Sequence, residues 1–334
     1  MNGLLQKAET IGSNPETALG MAKRRTVEFL YLVRKRRFGT AGSFICKGVT
    51  GWSPANQYLQ YCKRSSGRTV QTSVTDTEII IDLDDNGISR DLFLYGTREQ
   101  FALETFTREL REIRNEVDDP VTVLEVGANI GYFTLNEAKV LEKEDEIVAF
   151  EPDERNYRLL TENVRHSDIE PMVTTEKAAI GTQTGTGTLQ LSDHSNRNKL
   201  ESSTTDVDRR DTETTTVDVW SIDDYIGEHD LDVGSIRAIR MDIEGFEAEL
   251  IPPMLSLLEA TAPLVIFFEI HPNILTDAMF TRLFDRLQKH GFEVVAAFPE
   301  KITIHPAINT VYEGSLEDVP DFEVPFNMIV KKPA

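Results

Sequence analysis

The sequence predicts a doubly wound α/β sheet, and three observations carry the prediction. After Pro120, segments of strand character alternate with segments of helical periodicity, the pattern of a parallel sheet with crossover helices. The runs Val121–Val126 and Ile147–Phe150 are apolar on both faces, as strands buried between two layers must be. The first run ends at Gly127 and Gly131, where such folds turn from a strand into a helix. A chain of 334 residues, 40% hydrophobic, can build such a core as one large domain with extensions or as about two domains.

The elements follow in order from the amino terminus. Residues 1–68 are a basic extension: positions 1–70 hold 12 Lys/Arg against 3 Asp/Glu, whereas the other 264 residues hold 23 against 53. Phe29, Leu30, Leu32 and Val33 share one helical stripe flanked by Lys23–Arg25 and Arg34–Arg37. Such a helix suits an anionic membrane surface or an acidic partner, though so short an apolar face equally suits a packing helix with solvated charges. Residues 69–118 lead into the core. Thr69–Leu83 is rich in β-branched residues and predicts a strand pair, followed by the turn signal DDNGIS. Phe101, Leu103, Phe106, Leu110 and Ile113 recur at helical spacing, with Thr97 and Gln100 as a capping box.

Residues 119–334 carry the sheet. Strands are predicted near 121–126, 146–151, 171–180, 236–242, 263–270 and 292–298, and helices near 130–142, 154–165, 221–228, 246–258 and 276–290. A last strand at 324–332 follows its predecessor without a long helix between them and is predicted antiparallel. Ser192–Thr216 is polar and poor in apolar residues, a long excursion that reads as a disordered surface segment or a lid.

Gly127 and Gly131 stand where ligands bind in open α/β sheets, and glycine there lets backbone approach a ligand closely. Glu151 ends the next strand, 20 residues after Gly131, placed to accept hydrogen bonds from a ribose diol. A dinucleotide fingerprint would need glycine at 127, 129 and 132, but the residues are Gly127, Asn129 and Tyr132. Glu125, two residues before Gly127, would repel a diphosphate and attract an ammonium group. S-adenosylmethionine has a ribose and an ammonium group and no phosphate, so it suits this motif better than NAD.

The stretches VLEVGANIGYFTL, VAFEPDERNYRLLTENV, VWSIDDYI, IRMDIEGFEAELI and VIFFEIHP resemble, in order and spacing, the FkbM family of class I methyltransferases across about residues 90–332. The resemblance implies a seven-stranded Rossmann-like methyltransferase sheet, S-adenosylmethionine as donor, and methyl transfer to a hydroxyl, often on a sugar or polyketide. By position it makes Glu125, Gly127, Asn129 and Gly131 the donor loop. Glu151 becomes the ribose ligand, Asn156 and Tyr157 part of the same stretch, and Ala178 and Ala179 neighbours of the adenine.

Methyl transfer to a hydroxyl requires aligned reactants and a proton acceptor. Asp242 ends the fourth strand and Glu269 the fifth, so both should face one crevice. Asp242 reads as an orienting group at the donor's amino-acid end, as part of a general base, or as a cap for the helix near Phe246. Glu269 follows the apolar run LVIFF, where an unpaired carboxylate is costly, and a neighbouring carboxylate would raise its pKa toward that of a base. His271 has the pKa best suited to a base at neutral pH, although it also reads as a loop histidine before Pro272. Asp242, Glu244, Glu269 and His271 could gather a divalent ion, but no metal spacing marks them and none is assigned. His194 is an alternative base if the polar excursion folds over the site. Trp52, Trp220, Tyr132 and Phe133 read as packing residues.

Composition excludes other classes. Only Cys46 and Cys62 are present, without CxxC or metal spacing, which fits a reducing compartment. There is no signal-peptide core and no run near the ~18 apolar residues of a spanning helix, so the chain reads as cytoplasmic, with peripheral membrane contact through residues 23–37. A net charge of -21 suggests a salt-adapted source and opposes nucleic-acid binding. The alternatives to a glycan-type O-methyltransferase are a fold-retaining binding module without turnover and, against the glycine pattern, an NAD-dependent dehydrogenase.

Overall fold

A computed structural model describes residues 54–65, 68–74, 77–192, 198–200, 213–243, 245–299, 311–320 and 322–334. The basic stripe at 23–37, Cys46, Trp52, His194, Glu244 and most of the polar excursion lie outside the described residues. Helix α1 (Pro54–Ser65) leads to β1 (Thr69–Val74) and β2 (Thr77–Asp82), which pair antiparallel from Thr69↔Asp82 to Val74↔Thr77. Helices α2 (Ile88–Tyr95) and α3 (Gln100–Glu116) follow. As the spacing predicts, α3 buries Leu103, Phe106, Leu110 and Ile113. Its start corrects the expected capping box. The N-cap is Glu99, in left-handed backbone (φ 47°) with no side-chain cap, and the Thr97 hydroxyl instead pairs with the Tyr132 hydroxyl at 3.2 Å. Thr97 is fully buried, so its hydroxyl goes to the partner the core presents.

The core strands are β3 (Thr122–Val126), β4 (Glu146–Phe150), β5 (Val173–Glu176), β6 (Ala179–Ile180), β7 (Gly185–Gln190), β8 (Lys199–Leu200), β9 (Thr214–Trp220), β10 (Ile236–Met241), β11 (Leu264–Ile270), β12 (Glu293–Pro299), β13 (Tyr312–Gly314) and β14 (Phe326–Lys332). Between them run α4 (Tyr132–Glu137), α5 (Glu154–His166), α6 (Ile222–Glu228), α7 (Glu247–Leu250), α8 (Leu255–Ala260) and α9 (Asp277–Lys289). Eight strands form one sheet in the order β13-β12-β14-β11-β10-β3-β4-β5. β3, β4, β5, β10 and β11 pair in parallel, and β14 runs antiparallel to both β11 and β12. This is the expected seven-stranded sheet with its last strand antiparallel, extended by β13 at the edge.

Successive residues of each strand face opposite layers. Val123, Ala238, Val265 and Phe267 pack on one face with Phe106, Phe133 and Leu160 of α3, α4 and α5. Leu124, Ile239, Ile266 and Phe268 pack on the other with Tyr225, Leu257 and Leu283 of α6, α8 and α9. Each such fully buried side chain contributes about 1.5–3 kcal/mol. Strand order reverses between β3 and β10, which opens the ligand crevice at their carboxyl ends.

Three details differ from the expected elements. The strand near 171–180 breaks after Glu176, and β6 joins a second sheet of order β6-β9-β7-β8. The hairpin of β7 and β9 was not foreseen, and the polar excursion is the connection within it. Its strands bury only Leu189, Val217 and Val219 on one side, so exposed threonines hide the strand signal. The helix near 246–258 is two helices, divided at Pro252–Pro253, which lack the N–H groups to continue α7. Among the described residues no helix is long and apolar enough to cross a membrane.

Candidate active site

The loop between β3 and α4 holds three left-handed residues in five positions, Gly127 (φ 84°), Asn129 (φ 53°) and Gly131 (φ 85°). A Cβ on Gly127 would overlap the carbonyl oxygen of Asp242, so the loop lies directly on the end of β10. A Cβ on Gly131 would meet Leu160 of α5 at 2.9 Å. The Asn129 N–H donates to Glu151 Oε2 at 2.8 Å, and the Asp153 N–H donates to Oε1 at 2.9 Å. The Asn156 side chain also donates to Glu151, while its N–H donates to Asp153 Oδ1 at 2.9 Å and so caps α5. The EPDERN stretch is therefore a device for holding one carboxyl group. Burial pushes Glu151 up to about 8, against the backbone donors that oppose the rise. Ala178 is buried in the link between β5 and β6.

Glu125 sits behind this loop and not in it. Its carboxylate is wholly buried, accepts from the Thr134 hydroxyl, and lies 3.5 Å from Arg240 Nη1. Burial lifts it to about 7, with Arg240 opposing. A direct meeting with a ligand's ammonium group, as expected from the motif, is not what this placement offers. Arg240 makes the connection instead. Its Nη2 donates to Asp242 Oδ2 at 2.8 Å, its Nη1 to the Gly127 carbonyl at 3.4 Å, and its guanidinium lies 3.8 Å over the Phe133 ring.

At the carboxyl ends of β10 and β11 a narrow pocket is lined by Arg98, Glu99, Met241, Asp242, Phe267, Glu269 and Asn327. Its interior offers about 10 Å³ to the centre of a water-sized sphere, enough for one such group. Asp242 and Glu269 thus face one crevice, as neighbouring strand ends should. His271 Nε2 stands 3.8 Å from Glu269 Oε1, outside hydrogen-bond reach. Asp242 does not cap the following helix. The N-cap is Phe246, without a side-chain cap, and Glu247 in the first turn instead reaches back to the preceding loop, accepting from the N–H groups of Ile243 (3.0 Å) and Gly245 (2.9 Å), while burial raises it to about 7. Among the described residues no group of three His, Cys, Asp or Glu is placed to hold a metal ion.

The profile of the methyltransferase FkbM domain matches residues 125–294. The chain belongs to the FkbM methyltransferase family. It is a methyltransferase, and S-adenosylmethionine is its methyl donor. Among solved structures it is similar to an S-adenosylmethionine-dependent methyltransferase of Agrobacterium tumefaciens, at 10% identity over 80% of this chain and 71% of that one, with a TM-score of 0.42. It is also similar to a Pyrococcus horikoshii transferase, at 12% identity over 79% of this chain and 72% of that one, with a TM-score of 0.40. M. jannaschii TYW2 in complex with AdoMet matches at 13% identity over 79% of this chain and 87% of that one, with a TM-score of 0.38. No protein of curated function matches.

Glu151 and Asp242 flank the glycine loop as carboxyl groups. Three donors use Glu151, and the raised carboxyl, which keeps its proton at neutral pH, has one hydrogen bond of its own to donate. Sequence reasoning missed Arg98, Glu99, Arg240, Glu247 and Asn327. For Arg240 and Asn327 a signal existed, since each is a polar residue set among apolar neighbours (AIRM and FNMIV).

Proposed function

We propose that the protein methylates a hydroxyl of a sugar or glycan-type acceptor. S-adenosylmethionine supplies an electrophilic methyl group, and the chain's own part is to hold the acceptor oxygen and take its proton. The observation that carries this reading is the meeting of Asp242 and Glu269 in one hydroxyl-sized pocket, at the strand end on which the donor loop packs. Glu269 is the proton acceptor, Asp242 the orienting group held by Arg240, and His271 the imidazole beside Glu269, at 3.8 Å, that favours its charged form. Gly127, Asn129, Gly131, Glu151 and Ala178 form the donor site, with Glu125 acting through Arg240. The basic residues 23–37 on an acidic chain support a lipid-linked acceptor at an anionic surface.

The test uses tritiated donor with an extract of glycans and glycolipids from the source cells. Label is expected in base-stable methyl ethers, and Glu269→Gln should slow its transfer by about 10²–10⁴-fold. The same variant should keep its calorimetric affinity for S-adenosylhomocysteine. Label found in methyl esters or N-methyl groups would sink the hydroxyl reading.

A further inference from the structure

Asn327 lies on β14, directly opposite Glu269 in the antiparallel register. Directly opposed residues present their side chains side by side on one face, about 4.5–5.5 Å apart at Cβ. Both line the pocket at the strand ends. Asn327 is 3% exposed, and its Nδ2 is buried with no hydrogen-bond partner among the described residues. A buried donor left unpaired is unfavourable, and the group that completes it must be an acceptor.

We propose that Asn327 is a specificity-determining residue whose amide N–H donates to the oxygen of a neutral alcohol while that alcohol's O–H points at Glu269. This rests on the hydroxyl-methylating reading above and adds the acceptor's charge and the residue that reads it. An alcohol oxygen donates and accepts at once, which complements one carboxylate and one amide N–H. An ammonium group offers only donors and, with the amide oriented as it is, leaves Asn327 Nδ2 unpaired. A carboxylate or phosphate satisfies Asn327 but meets Glu269 beside two cations already engaged, Arg240 by Asp242 and Arg98 by Glu99 and Asp91. The pocket admits one water-sized group, the dimension of a hydroxyl. Arg98, Glu99 and Asn327 lie outside residues 125–294, so the pocket combines residues inside and outside the family-matched core.

The test compares wild type with Asn327→Leu, which removes the donor, and Asn327→Asp, which replaces it with an acceptor. Acceptors are the methyl glycosides of glucose, galactose, mannose and rhamnose, with the 2-amino and 6-carboxylate counterparts of the first two. Calorimetry with S-adenosylhomocysteine reports donor binding, and NMR line broadening on the loaded protein reports glycoside binding. Only neutral glycosides should be bound and methylated. Both variants should raise KM for them about tenfold or more, with donor affinity within about twofold of wild type. Hydroxyl methylation with KM unchanged in both variants would overturn the role of Asn327 and leave the hydroxyl reading standing. Preference for an amino or carboxylate glycoside, or no neutral glycoside bound while the donor analogue binds, would overturn the proposal as well.

Discussion

Replacing Glu151 by glutamine separates what the buried carboxyl does for stability from what it does for the donor. Burial holds the carboxyl near 8 in the folded chain, against an ordinary 4.5. A carboxyl raised on folding means that the folded state binds the extra proton between those values. Its stability contribution is therefore present at low pH and is lost as pH rises toward 8. Integrating proton uptake between pH 5.5 and pH 8 gives a loss of about 3 kcal/mol for this one group. Glutamine has no proton to lose, so the stability difference between variant and wild type should move by about 3 kcal/mol in the variant's favour over that range. Comparing the two proteins cancels the pH-dependent self-repulsion of a chain of net charge -21. The glutamine NH₂ must also face the N–H of either Asn129 or Asp153, a donor against a donor, which costs about 1–3 kcal/mol at every pH. Affinity for S-adenosylhomocysteine should fall about tenfold to a hundredfold for the same reason. The assays are urea unfolding at pH 5.5, 6.5, 7.5 and 8 and calorimetric titration at pH 7. A stability difference that does not change with pH would refute the account of Glu151 as a carboxyl raised by burial.

Two further outcomes follow from the loop and its brace. Gly127→Ala forces a Cβ into the Asp242 carbonyl at a φ of 84°, so unfolding should come at least about 1–3 kcal/mol sooner and donor-analogue binding should be lost; an alanine variant that binds normally would contradict the packing of this loop. Arg240→Met leaves Glu125 and Asp242 without their cation and should cost about 3–5 kcal/mol by denaturant midpoint, less when Glu125→Gln is added, while Arg240→Lys recovers part of the loss because it keeps the charge without the planar fork.

The glycine loop and the acid that it holds were readable because backbone geometry dictates residue type there. Left-handed positions against a neighbouring strand require glycine, and the acid at the end of β4 needs donors that only the following stretch can place. The parallel strands were readable for a similar reason, since burial on both faces leaves runs dominated by apolar residues, as in LVIFFEI and EIVAF. The acceptor side was not. Arg98 and Glu99 reach the pocket only because the Tyr132 hydroxyl anchors the turn before α3, accepting the Arg98 N–H at 3.4 Å and pairing with Thr97. No spacing within the sequence encodes a contact between positions 97 and 132. Asn327 comes from the far side of the sheet, beside Glu269 only through the register of β14. The second sheet was lost for another reason: its threonine-rich strands differ little in composition from the loop that joins them.

The charges behind the loop do not balance by count, and that imbalance bears on why Arg240 is there. Around this one guanidinium stand Glu125, Glu137 and Asp242. Glu137 is wholly buried, its carboxyl oxygens have no hydrogen-bond partner among the described residues, and burial together with the nearby Glu125 raises it well above the usual carboxylate range. Burial thus opposes a charge on Glu137, and Glu125, raised to about 7, is ionised in part at physiological pH. Asp242, whose side chain is 29% exposed, is the carboxylate that Arg240 chiefly balances. A buried ion pair adds little net stability over apolar residues of similar volume, so sheet stability alone does not explain an arginine inside IRAIRMD. Position does. The plane of the guanidinium is fixed on the Phe133 ring, one nitrogen donates to the carbonyl of Gly127 and another to the carboxylate of Asp242. A lysine offers no such fork, and an aliphatic residue offers no donor at all. One rigid group thereby sets the glycine loop and the strand-end acid at a constant distance from each other, which is what the roles proposed for them in a reaction between two bound molecules require.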